Sequence, residues 1–222
     1  MTRVANRKEP STKYRIRRLR RAELPVETVE LARFLIGKVV VREFPGARVS
    51  GRIVEVEAYP PGDPAGHHYR GPTPRIRSMY LAPGHSYVYF NYGAHFMLNV
   101  SGEPAGRAGG ILIRAVEPLE GIELMKKHRG CEVPRDLTRG PGRLAAAFQI
   151  DRSHDGIDLC KAGVLWLGEI VGTERGSGEK ESGVAMGESV RIGISRAAEH
   201  VLRFYEPGNP YVSGPKRLNS KR

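Results

Sequence analysis

The sequence has few of the features that stabilise secreted or membrane proteins. It contains only two cysteines, Cys131 and Cys160, and neither has a Cys-x-x-Cys or His-x-x-x-His partner nearby. A disulfide framework and a zinc site are therefore not expected, and a reducing compartment fits the composition. No apolar run approaches the roughly 18–20 residues that a membrane helix needs. With 222 residues, of which 40% are hydrophobic, the chain is expected to bury a sizeable core as a soluble globular protein.

Acidic residues are also scarce, with 24 Asp and Glu against 36 Lys and Arg, so the net charge is +12. A basic surface attracts polyanions, and nucleic acid is the most abundant of these. Residues 1–21 are especially basic, and Glu9 is their only acid. We predict that they form a disordered arm that lies on phosphates, with a transit peptide or a solvated tail as alternatives. They lack the apolar region of a secretory signal.

The rest of the chain predicts one domain of helices and strands over residues 22–215, with a basic tail at 216–222. A helix is expected near 24–36, where apolar residues recur at helical spacing and Gly37 follows as a C-cap. Pro45-Gly46 and residues 91–94 predict the turns of two β-hairpins. Residues 60–77 hold too much Pro and Gly for a helix or a central strand and form a long loop. The further predicted elements are a strand at 110–116, helices near 118–128 and 140–148, late strands at 189–195 (SVRIGIS) and 201–206 (VLRFYE), and an exposed insertion at 172–187.

Two acids lie close together in the segment RIVEVEAY, residues 52–59. Alternate residues of a strand share a face, so Ile53, Glu55, Glu57 and Tyr59 are predicted to point the same way. The two carboxylates could act as a general acid and base pair, as in the hydrolysis of glycosidic bonds. A solvated strand face, or separate ion pairs with arginines, would explain the same pattern.

Histidines and tyrosines follow this acidic strand. His67 and His68 lie in the long loop, where hydrogen bonding or stacking is more usual than metal binding. Tyr87, Tyr89 and Tyr92 fall within six residues, although aromatic residues make up only 7% of the chain. Aromatic rings near basic residues form stacking platforms for unpaired bases. A hydrophobic strand face is the alternative for Tyr87, whereas Tyr92 stands at a predicted hairpin tip.

Seven short segments occur in this order: GRIVEVEAY, DPAGHHYRGPTPR, PGHSYVYFNYG, LNV, ILIRAVEPLEG, GPGRL and RFYEPGNPYVS. Together they resemble the alkyladenine DNA glycosylase family, whose members are also called 3-methyladenine or methylpurine DNA glycosylases. The resemblance spans about residues 31–213 and leaves out the basic arm and the insertion. Each segment alone is weak evidence for the family, but seven segments in the same order with similar spacing are highly specific for it.

The resemblance implies an α+β fold, in which a single domain has a curved antiparallel β-sheet, surrounding helices and a protruding β-hairpin. It implies a monofunctional DNA repair enzyme that flips alkylated or deaminated purines out of the duplex. An activated water would hydrolyse the N-glycosidic bond and leave an abasic site, without a cofactor or a metal. The expected partner is double-stranded DNA with damaged purines, bound by a monomer. A bacterial protein of this kind would be cytoplasmic and nucleoid-associated, with a nuclear or organellar location left open for other sources.

The resemblance also assigns individual residues. Glu57 matches the general base that activates the water, and Arg114 matches the arginine that helps to hold that water. The residues that match the contacts to the flipped base are Tyr59, His67, Tyr89 and Asn99, the last of which disfavours the exocyclic amino group of guanine. The residues that match contacts to DNA are Tyr92, the wedge that fills the vacated space, together with Thr73, Arg75, Arg77 and Met79.

Some residues depart from the family pattern. Ile76 stands where asparagine is usual, and Gly66 precedes His67 where serine or alanine is common. His68 is an additional imidazole that could take the place of His67. Glu55 matches no family role and is interpreted as a structural acid that pairs with a basic neighbour.

Two other classes of protein are weighed against this interpretation. A non-catalytic DNA-binding or formyltransferase-like relative would have no need of a buried base, which the presence of Glu57 with Arg114 argues against. A glycoside hydrolase built on Glu55 and Glu57 is disfavoured by the basic charge and by the single tryptophan, Trp166.

Overall fold

The computed structural model describes residues 15–91, 93–172 and 185–219. Within these ranges the chain forms a single α+β domain around one antiparallel sheet, which confirms the predicted fold class. The strands are β1 (Arg15–Arg18), β2 (Val39–Phe44), β3 (Ala47–Tyr59), β4 (Ser86–Asn91), β5 (His95–Ser101), β6 (Gly110–Glu120), β7 (Leu165–Val171), β8 (Gly187–Ser189) and β9 (Arg203–Tyr205). The α-helices are α1 (Thr28–Leu35), α2 (Ile122–Arg129) and α3 (Pro141–Ala147).

The strands are neighbours in the order β1-β7-β2-β3-β6-β5-β4, and β9 pairs with both β3 and β8. The long strand β3 pairs with β6 on one side. On the other side it pairs first with β2 and then with β9, over Glu55–Glu57. Both acids therefore lie on a segment of β3 that has a neighbouring strand on each side. The two predicted hairpins are confirmed, since Phe44 pairs with Ala47 and Asn91 with His95.

One large apolar core lies between the sheet and the helices. Leu35 of α1 and Leu144 of α3 are buried in the same cluster as Val56 of β3. The predicted helix near 24–36 is confirmed in shorter form as α1, and Gly37 adopts a φ of 84° just after it, a conformation that glycine reaches without strain. No helix within the described ranges is long and apolar enough to cross a membrane.

The alternation of side chains along β3 is interrupted, which corrects part of the sequence prediction. The register between β3 and β6 shifts around Glu55. Ile53 and Val56 consequently lie in the same core cluster although they are three residues apart, and Val54 packs in a separate cluster. Regular alternation predicted that Ile53 and Glu57 share a face of the strand. In the structure they lie on opposite faces. A β-bulge of this kind adds one residue to a strand and redirects its side chains.

Three more predictions differ from the structure. The helix predicted near 118–128 begins only at Ile122, because β6 continues to Glu120. Residues 15–21, predicted to belong to a disordered arm, are ordered, because β1 pairs with β7 and Leu19 is fully buried. Ile16 packs beside Trp166, so two apolar residues within the basic run attach it to the sheet. The predicted strand at 189–195 is wrong beyond Ser189, where β8 ends. The rest of the arm (1–14), most of the predicted insertion (173–184) and the last three residues of the tail lie outside the described residues.

Candidate active site

A cavity of about 360 Å³ opens beside the C-terminal half of β3. Its walls come from segments far apart in the sequence: β3, the loop after it, the β4–β5 hairpin, β6 and the segment after β8. All of the predicted catalytic and base-contacting residues line this one cavity, namely Glu57, Tyr59, His67, Tyr89, Asn99 and Arg114. The structure therefore brings them together, while their roles remain predictions.

The carboxylate of Glu57 is buried, with 0% of the residue exposed. The Tyr59 hydroxyl donates to Oε2 over 2.9 Å, and the backbone N–H of Ile192 donates to Oε1 over 2.7 Å. Arg114 Nη1 lies 3.0 Å from the same Oε1. Burial and the charge of Glu57 raise the pKa of the Tyr59 hydroxyl, so that it keeps its proton and acts as a donor. These donors to both oxygens fix the orientation of the carboxylate.

Glu55 lies two residues earlier but has different partners. Arg114 Nε and Arg203 Nε donate to its Oε1 over 2.8 and 2.7 Å, and the backbone N–H of Ser213 donates to Oε2 over 2.6 Å. Burial alone would raise the pKa of Glu55, but the charges of Arg114 and Arg203 outweigh burial and lower it. The prediction that Glu55 pairs with a basic neighbour is confirmed by these ion pairs, while its purely structural role stays a prediction.

Ile192, Arg191 and Asp63 make polar contacts at this site that were not predicted from the sequence. Arg191 forms a buried ion pair with Asp63, and the carbon of its guanidinium lies 4.6 Å from the centroid of the Tyr59 ring. The segment that carries Arg191 alternates like a strand, and Asp63 stands among turn-forming residues, so both have ordinary local explanations. The only feature of the sequence that could have indicated a site here is Arg191, a charged residue inside the otherwise apolar stretch VRIGI.

Aromatic rings form one wall of the cavity. Tyr87 and Tyr89 are stacked with their ring centroids 5.4 Å apart, and the His67 ring meets Tyr89 edge-on at 4.5 Å. His67 Nδ1 lies 2.8 Å from the Tyr87 hydroxyl. Desolvation of the ring lowers the pKa of His67, and the positive charge of Arg75 lowers it further. Near neutral pH the His67 ring is therefore uncharged.

The two adjacent histidines occupy different positions, which favour His67 as the one that faces a bound base. His68 is 7% exposed, and its Nε2 lies 2.9 Å from the carbonyl oxygen of Pro60. A Cβ added to Gly66 would come within 2.4 Å of the His68 ring, so the ring is packed tightly against the loop backbone. His67 lines the cavity and His68 packs behind it.

Asn99 and Met79 occupy fixed positions in the cavity wall. The Asn99 side-chain amide donates to the backbone carbonyls of Tyr87 over 3.1 Å and Met97 over 3.4 Å, so its orientation is set by the strands. Met79 was predicted to contact DNA, but it is only 3% exposed and packs with Ile76 beneath the aromatic wall. It lines the cavity and does not reach the outer surface.

The other predicted DNA contacts lie on the surface near the cavity. Thr73, Arg75 and Arg77 are exposed on or beside the short 3₁₀-helix Pro74–Tyr80. Arg75 Nη2 donates to the backbone oxygen of Phe90 over 3.3 Å, which places it beside the β4–β5 hairpin. Tyr92, the predicted wedge, lies outside the described residues.

The site can hold a planar aromatic molecule against its rings and present a buried carboxylate to it. Within residues 15–91, 93–172 and 185–219, no three or more His, Cys, Asp or Glu side chains are arranged to hold a metal ion.

Comparison with known proteins gives a consistent result. Residues 22–210 match the family model described as methylpurine-DNA glycosylase. A relative from Mesorhizobium japonicum is 56% identical over 198 residues, covering 89% of this chain and 91% of its own length. A relative from Paraburkholderia phytofirmans is 51% identical over 200 residues, covering 90% of each chain. One from Chlorobium phaeovibrioides is 44% identical over 198 residues, covering 88% of this chain and 96% of its own. All three are provisionally named 3-methyladenine DNA glycosylases.

Proposed function

The chain belongs to the methylpurine-DNA glycosylase family, and from this membership we propose that it hydrolyses the N-glycosidic bond of damaged purines in double-stranded DNA. The proposed substrates are alkylated purines such as 3-methyladenine and deaminated purines such as hypoxanthine. The products are the free base and an abasic site in an uncut strand.

One observation carries the proposal: the buried carboxylate of Glu57 lies at the edge of a cavity walled by aromatic rings. A water that attacks C1′ of the deoxyribose must lose a proton, and a carboxylate held within reach is a suitable general base. We propose that the Glu57 carboxylate accepts this proton. The new bond forms between the water oxygen and C1′, and the electron pair of the N-glycosidic bond leaves with the purine. Arg114 and Tyr59 keep the carboxylate oriented through their contacts to its oxygens.

The burial of this carboxylate supports base flipping. A nucleotide stacked inside a duplex cannot bring its C1′ close to Glu57, so we propose that it leaves the helix before reaction. Tyr59, His67 and Tyr89 are the proposed stacking surfaces, and electron-rich rings attract an electron-poor alkylated purine. Tyr92 remains the proposed wedge, and the exposed residues Thr73, Arg75 and Arg77 the proposed phosphate contacts.

An assay of base release tests the proposed function. The protein is incubated with duplexes that each carry one 3-methyladenine, 7-methylguanine, hypoxanthine or 1,N6-ethenoadenine. We expect free base in solution and a strand that breaks only after alkali treatment. Release of no base from any of the four duplexes, or a strand break without alkali, would refute the proposal.

Asn99 is expected to determine how strongly the cavity rejects guanine derivatives. Because strand carbonyls fix its amide, it cannot swing away from an exocyclic amino group. Asn99→Ala is expected to raise the release rate of 7-methylguanine relative to hypoxanthine by about tenfold, within the range that a small group contributes in a binding pocket. The ratio is measured in single-turnover reactions on matched duplexes. An unchanged ratio would show that Asn99 does not determine how strongly the cavity rejects guanine derivatives.

His67 gives the site a pH dependence. Its lowered pKa means that the ring is protonated only below the ordinary value of about 6.5, and a charged ring repels a cationic purine. Affinity for a 7-methylguanine duplex is therefore expected to fall as the pH drops through the His67 pKa. Arg75→Gln removes a positive charge that lowers this pKa, so the midpoint of the fall should move to higher pH.

The Arg75→Gln experiment is read from the midpoint, because the loss of a phosphate contact would weaken binding equally at every pH. In a His67→Gln control the fall should disappear. A midpoint that stays in place in Arg75→Gln, or a fall that persists in His67→Gln, contradicts this account.

A further inference from the structure

We propose that Arg191, held by Asp63, is a positioning residue that aligns Glu57 and Tyr59 for the reaction. The inference rests on the proposed function and adds to it a residue pair that touches neither the water nor the purine. The pair would set the geometry of both the general base and the stacking ring.

The Arg191–Asp63 ion pair is among the most buried in the described structure. The two side chains are 0% and 1% exposed. Arg191 Nη2 donates to Asp63 Oδ1 over 3.1 Å, and Nη1 donates to the other carboxylate oxygen, so the contact is bidentate. Nη1 also donates to the carbonyl oxygen of Ala58 over 3.0 Å. One guanidinium thus joins the long loop to the backbone between Glu57 and Tyr59.

The guanidinium also covers one face of Tyr59. Its central carbon lies 4.6 Å from the centroid of the ring, which is the geometry of a cation–π contact. With one face of the ring occupied by Arg191, only the opposite face can receive a base. The stacking surface is held both by this contact and by the hydrogen bond from Tyr59 to Glu57.

The next residue in the chain contacts the general base directly. The backbone N–H of Ile192 donates to Glu57 Oε1 over 2.7 Å, and a peptide unit adjacent to a clamped side chain has little freedom to shift. Arg191 Nη2 further donates over 3.3 Å to the carbonyl oxygen of Ala197. Ala197 has a φ of 46°, a conformation rare for alanine. The contact helps to hold the segment after β8 against the cavity.

Stability alone does not account for this ion pair. Moving two charges out of water costs about as much as their attraction returns, so a well-packed apolar pair would serve the fold equally well. Within the described residues, the buried Nε of Arg191 also has no hydrogen-bond partner. A pair that is not optimal for stability, placed behind both Glu57 and Tyr59, is consistent with a positioning role.

The test compares three variants with the wild type. Arg191→Met/Asp63→Leu replaces the pair by apolar residues without leaving a lone buried charge. Arg191→Lys keeps the charge but loses the planar, bidentate and stacking geometry. Arg52→Met serves as the control, because Arg52 lies on β3 away from the cavity and pairs there with Glu117 and Glu206. For each protein we measure the single-turnover release of hypoxanthine, the affinity for lesion and undamaged duplexes, and the Tm.

We expect the release rate of the double variant to fall on the order of 10²-fold, because small displacements of reacting groups cause losses of this size. Its affinity for lesion duplex should fall on the order of tenfold, as when base stacking is impaired. Its affinity for undamaged duplex should stay within threefold of the wild type. Arg191→Lys should be intermediate, and Arg52→Met should keep the wild-type rate.

Two outcomes would overturn the proposal. One is a release rate and a lesion affinity within threefold of the wild type in the double variant. The other is an equal loss of affinity for lesion and undamaged duplex together with a lowered Tm, which would show a purely structural role. Failure of the wild type to release any base would instead refute the proposed function itself, so the two failures are distinguishable.

Discussion

Replacement of Glu57 by glutamine is expected to reduce single-turnover base release by about 10²–10⁴-fold, the usual contribution of a general base. Glutamine has nearly the same size but cannot accept the proton of the attacking water. The cavity and its rings remain, so affinity for a lesion duplex should stay within a few-fold of the wild type. Rates are measured with enzyme in excess, and affinities by fluorescence anisotropy.

Glu30→Gln is a matched control for this experiment. Glu30 lies on α1 in an exposed pair with Arg33, so the same chemical change there should leave the rate unaltered. Retention of more than a tenth of the wild-type rate in Glu57→Gln would show that Glu57 is not the general base. A loss of lesion affinity as large as the loss of rate would show that the variant disturbs binding and not chemistry.

Replacement of Glu55 by glutamine is expected to destabilise the fold by about 3–5 kcal/mol, the cost of removing one partner from a buried ion pair. Arg203 is fully buried and has no other carboxylate within the described residues, while Arg114 would keep only Glu57. For a chain of this size, each kcal/mol lowers the Tm by roughly 2–4 °C. The measurement is thermal unfolding monitored by circular dichroism.

The pH dependence of this loss has a definite sign. The pKa of Glu55 is lower in the folded protein than in the unfolded chain, so its stabilisation is present above the unfolded value of about 4.3 and is lost as the pH falls through the folded value. The difference in Tm between wild type and Glu55→Gln should therefore be full at pH 7 and should shrink in acid. A difference in the free energy of unfolding of less than 1 kcal/mol at pH 7 would contradict the assignment. So would a difference in Tm that grows below pH 4.

Local patterns in the sequence were sufficient for much of the fold. Pro45-Gly46 and Gly37 have strong conformational preferences, so the first hairpin and the end of α1 could be predicted from neighbouring residues alone. The β-bulge around Glu55 could not, because it depends on the register with β6 and leaves no mark in the alternation of VEVEAY. The same limit applies to Ile16 and Leu19, whose burial requires β7.

The candidate site was predictable only where the resemblance supplied it. Glu57, Tyr59 and Arg114 stand in recognisable segments, and the structure brings them to one cavity. Arg191 and Ile192 act through a guanidinium and a backbone amide more than 130 positions from Glu57, within a segment whose alternation is typical of a strand. Such contacts are defined by tertiary packing, which no local pattern encodes.

The distinct roles of the two neighbouring acids are the central claim, and one comparison tests it most directly. Single-turnover release of hypoxanthine is measured for Glu57→Gln and Glu55→Gln side by side, at a temperature at least 10 °C below the lower Tm. We predict that Glu57→Gln is at least tenfold slower than Glu55→Gln. We also predict that it is the more stable of the two, because Arg114 and Arg203 both keep their ion pair with Glu55. A faster rate in Glu57→Gln, or a lower Tm for it than for Glu55→Gln, would contradict the account.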